Sequence, residues 1–143
     1  MSGKKLTCFK CGQVNRVPFD KLMAEPKCGT CGTGLMTGGV PEVDLATLEK
    51  AARTDDVPIV VDFWAPWCGP CRQMAPQFQA AASDLKPQAR LVKLNTEDHP
   101  NAGAKFRIRG IPTMAAFSNG KERARQSGAM PSSAIVSWVK ASV

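Results

Sequence analysis

The stretch Asp62-Phe63-Trp64-Ala65-Pro66-Trp67-Cys68-Gly69-Pro70-Cys71 decides how this chain folds. Behind it, Pro58-Ile59-Val60-Val61-Asp62-Phe63 is a short, β-branched apolar run, the mark of a strand buried on both faces. Ahead of it the spacing predicts a helix from about Cys68 to Leu85, kinked where Pro76 removes a hydrogen bond. Two cysteines therefore stand where a buried strand hands over to a helix. Cys68 falls at the helix N-terminus, where unpaired backbone N–H groups and the helix dipole favour an anion. That environment stabilises a thiolate, the nucleophilic form of cysteine. Cys71 lies one turn further in, more buried and less acidic, and is placed to attack the Cys68 sulfur of a mixed disulfide. Gly69 and Pro70 keep the turn tight and bring the two sulfurs within bridging reach.

Working outward, Asp44 can cap a helix running to about Arg53, with Leu45, Leu48 and Ala52 on one face. Arg90 to Asn95 reads as a strand, and a short helix opens near Pro100, a residue suited to a first helical position. Pro112 to Phe117 is a third strand. Asn119-Gly120 signals a hairpin turn into Arg123-Ala124-Arg125-Gln126 as a fourth. Pro131 to Ala141 closes the chain as a helix with Ile135, Trp138 and Val139 facing inwards. From Pro58 the order is β-α-β-α-β-β-α, which predicts an α/β fold with helices on the faces of a sheet.

The six cysteines all precede residue 72 and form three Cys-x-x-Cys pairs. The first two pairs lie within residues 1–34, where Leu6, Phe9, Val14, Val17, Phe19, Leu22 and Met23 are too few to make much of a core. So short a piece needs a metal or disulfides to hold it. Cys8-x-x-Cys11 and Cys28-x-x-Cys31 are separated by 16 residues, the spacing of a two-knuckle zinc site. Gly12 and Gly32 follow the pairs and let the backbone turn around a metal. Four thiolates suit one tetrahedral zinc ion in a closed, structural site, and its binding would supply folding energy. The competing reading is two disulfides or free thiols. Residues 33–39 read as a linker or the lead-in to a strand.

The chain has 143 residues with 43% hydrophobic content, enough for one sizeable core, and a net charge of +7. The charge leans to the front, where Lys4, Lys5, Lys10, Arg16, Lys21 and Lys27 face only Asp20 and Glu25. No basic run exceeds two residues, so a solvated positive surface is favoured over a nucleic-acid site. Met1 to Lys10 is polar rather than a signal peptide, and no apolar run reaches the ~18 residues that span a membrane. A soluble, cytoplasmic protein without a membrane partner is expected. In that reducing compartment cysteines bind metal or do chemistry rather than form structural bridges. His99, the one histidine, sits in a polar segment and reads as solvent-exposed. Lys105-Phe106-Arg107-Ile108-Arg109 alternates basic and apolar groups and reads as a solvated face.

Over residues 40–143 the sequence resembles the thioredoxin family. The ten residues quoted at the outset match that family's active-site segment almost without departure. Gly110-Ile111-Pro112-Thr113 resembles its substrate-facing loop with a cis proline. Pro76 matches its kinking proline, and Lys93 a lysine near the buried acid. Phe117, Asn119-Gly120 and Gly128-Ala129 match its closing hairpin. The resemblance implies a thioredoxin fold, a mixed central sheet flanked by helices. It makes Cys68 the attacking thiolate, Cys71 the resolving thiol and Asp62 a buried carboxylate that takes the Cys71 proton. Without it, Asp62 reads as a strand-end acid satisfied by hydrogen bonds. Trp67, Gly110, Ile111 and Pro112 would receive an extended substrate segment, with Pro112 also keeping metals away from the thiols. Trp64 reads as plain core packing. A zinc ribbon with Cys8, Cys11, Cys28 and Cys31 as ligands, ahead of such a domain, resembles the thioredoxin-2 type. The division expected is residues 1–36 for the ribbon and 37–143 for the thioredoxin domain.

The implied activity is protein-disulfide reduction through a redox-active Cys68–Cys71 disulfide. Disulfide-containing client proteins and an NADPH-dependent thioredoxin reductase are the implied partners. The chain lacks a Gly-rich dinucleotide fingerprint, so no bound nucleotide or flavin is expected. Three rivals stand beside this reading: a redox-sensing zinc chaperone, a nucleic-acid-binding ribbon, and an oxidase or isomerase.

Overall fold

The computed structural model describes residues 3–143. In the front module, β1 (Gly3–Thr7) pairs antiparallel with β2 (Val14–Pro18). Five-residue strands of mixed polarity carry little periodicity, so this pair leaves no clear mark in the sequence. Then follow α1 (Leu45–Thr54), β3 (Ile59–Trp64), α2 (Gly69–Leu85), β4 (Arg90–Asn95), α3 (Pro100–Lys105), β5 (Thr113–Ser118), β6 (Lys121–Ser127) and α4 (Ser132–Ser142). The expected elements are therefore present, with small shifts at their ends. The largest is in β6, which runs two residues earlier and one later than expected. Asp44 caps α1 by accepting from Thr47 N at 2.8 Å. Pro76 lies inside α2.

The main sheet has the order β4-β3-β5-β6. β3 runs parallel to β4 and antiparallel to β5, and β5 is antiparallel to β6, so the sheet is mixed. β3 is central and buried along Ile59–Phe63, which is why its sequence is apolar without alternation. Val60 packs with Met74 and Phe78 of α2 and Ile135 and Val139 of α4. Ile59, Val61 and Phe63 pack on the opposite face with Leu48 and Ala51 of α1. β6 is a charged edge carrying Lys121, Glu122, Arg123 and Arg125, a composition that discourages strand addition.

The front module is built into this domain. Leu6, Cys8, Val17, Cys28, Leu35 and Met36 form a small core, and Val57, between α1 and β3, completes it. Residues 33–39, read as a linker or a strand lead-in, form no regular element, and Leu35 and Met36 within them are buried at 3% and 2% exposure. Lys5 N donates to Asp56 Oδ2 at 2.8 Å, and Lys50 Nζ donates to the Gly12 carbonyl. Beneath them is a buried ion pair between Asp55 and Arg90. Asp55 Oδ1 accepts from Thr7 N at 2.9 Å and from Thr7 Oγ1 at 2.6 Å. Arg90 donates to the Leu35 carbonyl at 3.0 Å, and its guanidinium stacks 4.1 Å from the Phe9 ring centroid. A cavity of about 280 Å³ remains between the module and α2, lined by Phe9, Leu35, Met36, Glu42, Ala82 and Leu91 among others.

Candidate redox site and sulfur cluster

Cys68 and Cys71 form a disulfide with Cα atoms 5.2 Å apart. Cys68 is the N-cap of α2, with Cys71 N donating to its Sγ at 3.2 Å. The sulfur expected to carry negative charge thus already accepts one of the helix's free N–H donors. Both cysteines are buried, Cys71 at 2% exposure and Cys68 at 5%. Arg72 of the same turn donates to the Pro66 carbonyl at 2.8 Å and fixes the approach to the motif.

Beneath the disulfide, Asp62 of β3 is 4% exposed, and Oδ1 has no hydrogen-bond partner among the described residues. No protein donor reaches Oδ1, so protein hydrogen bonds alone do not satisfy this acid. Asp62, Trp64, Cys71, Arg72 and Lys93 line one cavity of about 130 Å³, wide enough for water. Burial pushes the Asp62 carboxyl up to about 7, with Lys93 opposing the rise and Glu42 adding to it. Trp64 departs from plain core packing. It is half-buried, its Nε1 donates to Glu42 Oε1 at 3.1 Å, and Lys93 Nζ lies 5.0 Å from its ring centroid.

Above the disulfide, Trp67 is 66% exposed, an unusual solvent exposure for so large an apolar ring. It shares an open groove with Gly110, Ile111, Thr96, Ile108 and Arg109. The Ile111 carbonyl oxygen lies 3.7 Å from Cys68 Sγ, and the Ile111–Pro112 peptide is cis. Pro112 itself is buried, directly after the Ile111 that lines the groove. Thr96, Ile108 and Arg109 were not singled out from sequence for this face. Ile108 instead carries part of the segment read as a solvated face, and both it and Phe106 pack against the core. Lys105 pairs with Glu49. His99 is half-buried at the N-cap of α3 rather than fully exposed.

At the other end, the Sγ atoms of Cys8, Cys11, Cys28 and Cys31 lie within 4.8 Å of one another. Cys8–Cys31 and Cys11–Cys28 are each 3.6 Å apart, too far for disulfides. Tetrahedral zinc with Zn–S of about 2.3 Å needs S···S edges of about 3.8 Å, so the donor set and its spacing fit that ion. The two knuckles repeat one geometry. Gly12 N donates to the Cys8 carbonyl at 2.9 Å, and Gly32 N to the Cys28 carbonyl at 2.9 Å. Gly12 at φ +83° and Gly32 at φ +78° take the left-handed conformation that closes each turn.

Comparison with known proteins agrees with this geometry. The family model for thioredoxin matches residues 40–141. The chain belongs to the thioredoxin family. The model described as thioredoxin 2, N-terminal, matches residues 7–33, the zinc-ribbon segment. Thioredoxin C-3 of Corynebacterium nephridii is 36% identical over 134 residues, covering 94% of this chain and 92% of its own length. Thioredoxin of Rhodospirillum rubrum is 40% identical over 102 residues, covering 71% of this chain and 98% of its own. A crystal structure of chloroplastic thioredoxin z is 28% identical with a TM-score of 0.67, covering 74% of this chain and 96% of that one. As a thioredoxin-family member the chain is a thiol–disulfide oxidoreductase with a thioredoxin fold and an N-terminal ribbon module. No helix among the described residues is long and apolar enough to cross a membrane.

Proposed function

We propose that this chain is a protein-disulfide reductase of the cytoplasm, drawing electrons from an NADPH-dependent thioredoxin reductase and passing them to client disulfides. The observation that carries the proposal is the Cys68–Cys71 pair at the α2 N-terminus, roofed by the Trp67–Ile111 groove. In the reduced protein, Cys68 thiolate attacks one sulfur of a client disulfide, and the other leaves as a thiolate. Asp62, through cavity water, takes the proton of the Cys71 thiol. Cys71 then attacks Cys68 Sγ, the second client thiolate leaves, and the released protons return to solvent and client. Trp67, Gly110 and Ile111 hold the extended client segment, with Pro112 shaping the loop behind them. The electron source is a partner because the chain carries no dinucleotide fingerprint.

Insulin-disulfide reduction with NADPH and a thioredoxin reductase tests the activity: the folded wild-type protein is expected to turn over, and an inactive one refutes the proposal. Asp62→Asn is expected to slow single-turnover insulin reduction by about 10- to 100-fold near neutral pH. The same substitution has a stability signature. A carboxyl raised to about 7 in the fold binds more protons than in the unfolded chain. Wild-type stability therefore falls as pH rises from about 4 towards 7. Chemical denaturation is expected to show Asp62→Asn gaining on wild type across that window, and a constant difference would contradict the buried acid.

We also propose that Cys8, Cys11, Cys28 and Cys31 hold one structural zinc ion within a ribbon ending near Met36. The ion would neutralise four thiolates and tie the two knuckles together. Metal analysis of the purified protein is expected to give one zinc per chain. Chelation is expected to lower the melting temperature of the whole protein, because the ribbon core includes Val57 of the main domain and the ribbon is tied to the Asp55–Arg90 pair. A melting curve indifferent to chelator would refute the structural role.

A further inference from the structure

Glu42 lies outside the redox motif, yet its backbone and side chain both reach towards the buried acid. Its segment runs beside β4 as a short parallel bridge, with Glu42 paired to Lys93. Lys93 N donates to the Pro41 carbonyl at 3.0 Å, and Val43 N donates to the Lys93 carbonyl at 2.9 Å. Across the other edge of β4, Lys93 is the register partner of Asp62. Paired residues of neighbouring strands point to the same face of a sheet. Asp62, Lys93 and Glu42 therefore stand in one lateral register row, acid, base, acid, on the face that carries α2. Trp64, two residues beyond Asp62, shares that face. Its indole donates to Glu42 Oε1 at 3.1 Å while Lys93 Nζ lies over its ring. Glu42 Oε2 accepts from Asn95 N at 3.0 Å, which pins the carboxylate at the end of β4.

A lone lysine beside Asp62 would favour the ionised carboxylate and spoil a group that must accept a proton near neutrality. A second carboxylate on the far side of the same lysine offsets that pull. We propose that Glu42 is a positioning residue for the resolving step, sharing Lys93 with Asp62 and so keeping Asp62 able to take the Cys71 proton. The inference rests on the reading of Asp62 as the proton acceptor. The charged and titratable groups around Asp62 are Lys93 from β4, Cys71 and Arg72 from α2, and Glu42 from the bridging segment, while β5 presents Met114 opposite it. Glu42 is an exposed residue, so screening keeps its influence modest.

The test is a carboxyl-carbon NMR titration of Asp62 in the full-length oxidised protein, with Asp62→Asn assigning the resonance. Glu42→Gln removes the charge and keeps one acceptor oxygen, enough for Asn95 N or the Trp64 indole but not for both, and is expected to lower the Asp62 midpoint by about half a pH unit. The shift should shrink in high salt. Glu25→Gln, which removes the same charge from the exposed ribbon surface, should leave the midpoint in place. An unmoved midpoint in Glu42→Gln overturns the proposal, as does an equal shift in Glu25→Gln. A shift in Glu42→Ala alone also overturns it, because the residue would then act only as an anchor. If instead Asp62→Asn leaves single-turnover reduction unchanged at every pH, it is the proton-acceptor reading that fails.

Discussion

Cys68→Ser is expected to lose insulin reduction by a factor on the order of 10³ or more, to the background of the assay. The fold should survive, because the new hydroxyl occupies the place of a small buried sulfur at the α2 N-cap, a position serine favours. What disappears is the nucleophile. A serine hydroxyl stays protonated where a thiol at a helix N-terminus ionises, an effect for which the thioredoxin family itself is a standing example. Cys71→Ser is expected to fail differently. Cys68 can still attack, but nothing resolves the adduct, so a mixed disulfide with the client should accumulate and be visible on a non-reducing gel. Reversal of these phenotypes would exchange the roles of the two sulfurs. Equal, substantial activity in both variants would move the chemistry elsewhere in the chain.

Asp55→Ala or Arg90→Ala should each destabilise the protein by about 3–5 kcal/mol, since each leaves its partner as an uncompensated buried charge. For a chain of this size that is a fall in melting temperature of roughly 10–20 °C. Both ends of the pair reach into the front module. Asp55 holds Thr7, one residue before Cys8 of the sulfur cluster, while Arg90 holds the Leu35 carbonyl and stacks on Phe9. Loosening should therefore spread from the main sheet to the sulfur cluster. A double variant carrying Asp55→Asn and Arg90→Met is expected to recover part of the loss, because removing both charges lifts the desolvation penalty along with the attraction. Calorimetry showing the main transition unmoved in the single variants would mean that the Asp55–Arg90 pair is not needed by the fold.

Much of this protein is written in short-range signals. The apolar run before the motif, the Asp44 cap, the Pro100 helix start and the Asn119-Gly120 turn each act within a few residues. Backbone propensity and local hydrogen bonds are enough to place them, and the observed elements follow. The redox pair and the two knuckles are equally local, since three-residue spacing alone brings each pair of sulfurs to one turn. Trp64 and Trp67 were harder, because similar side chains three apart can face core or solvent depending on what packs above them. The rest was decided only by tertiary structure. Asp55 meets Arg90 across 35 positions and Thr7 across 48, and Trp64 meets Glu42 across 22. The shared lysine of Asp62 and Glu42 exists because two strand edges meet β4 in one register. Sheet register and the docking of one module on another depend on burying every facing side chain at once, a condition that no local stretch of sequence contains.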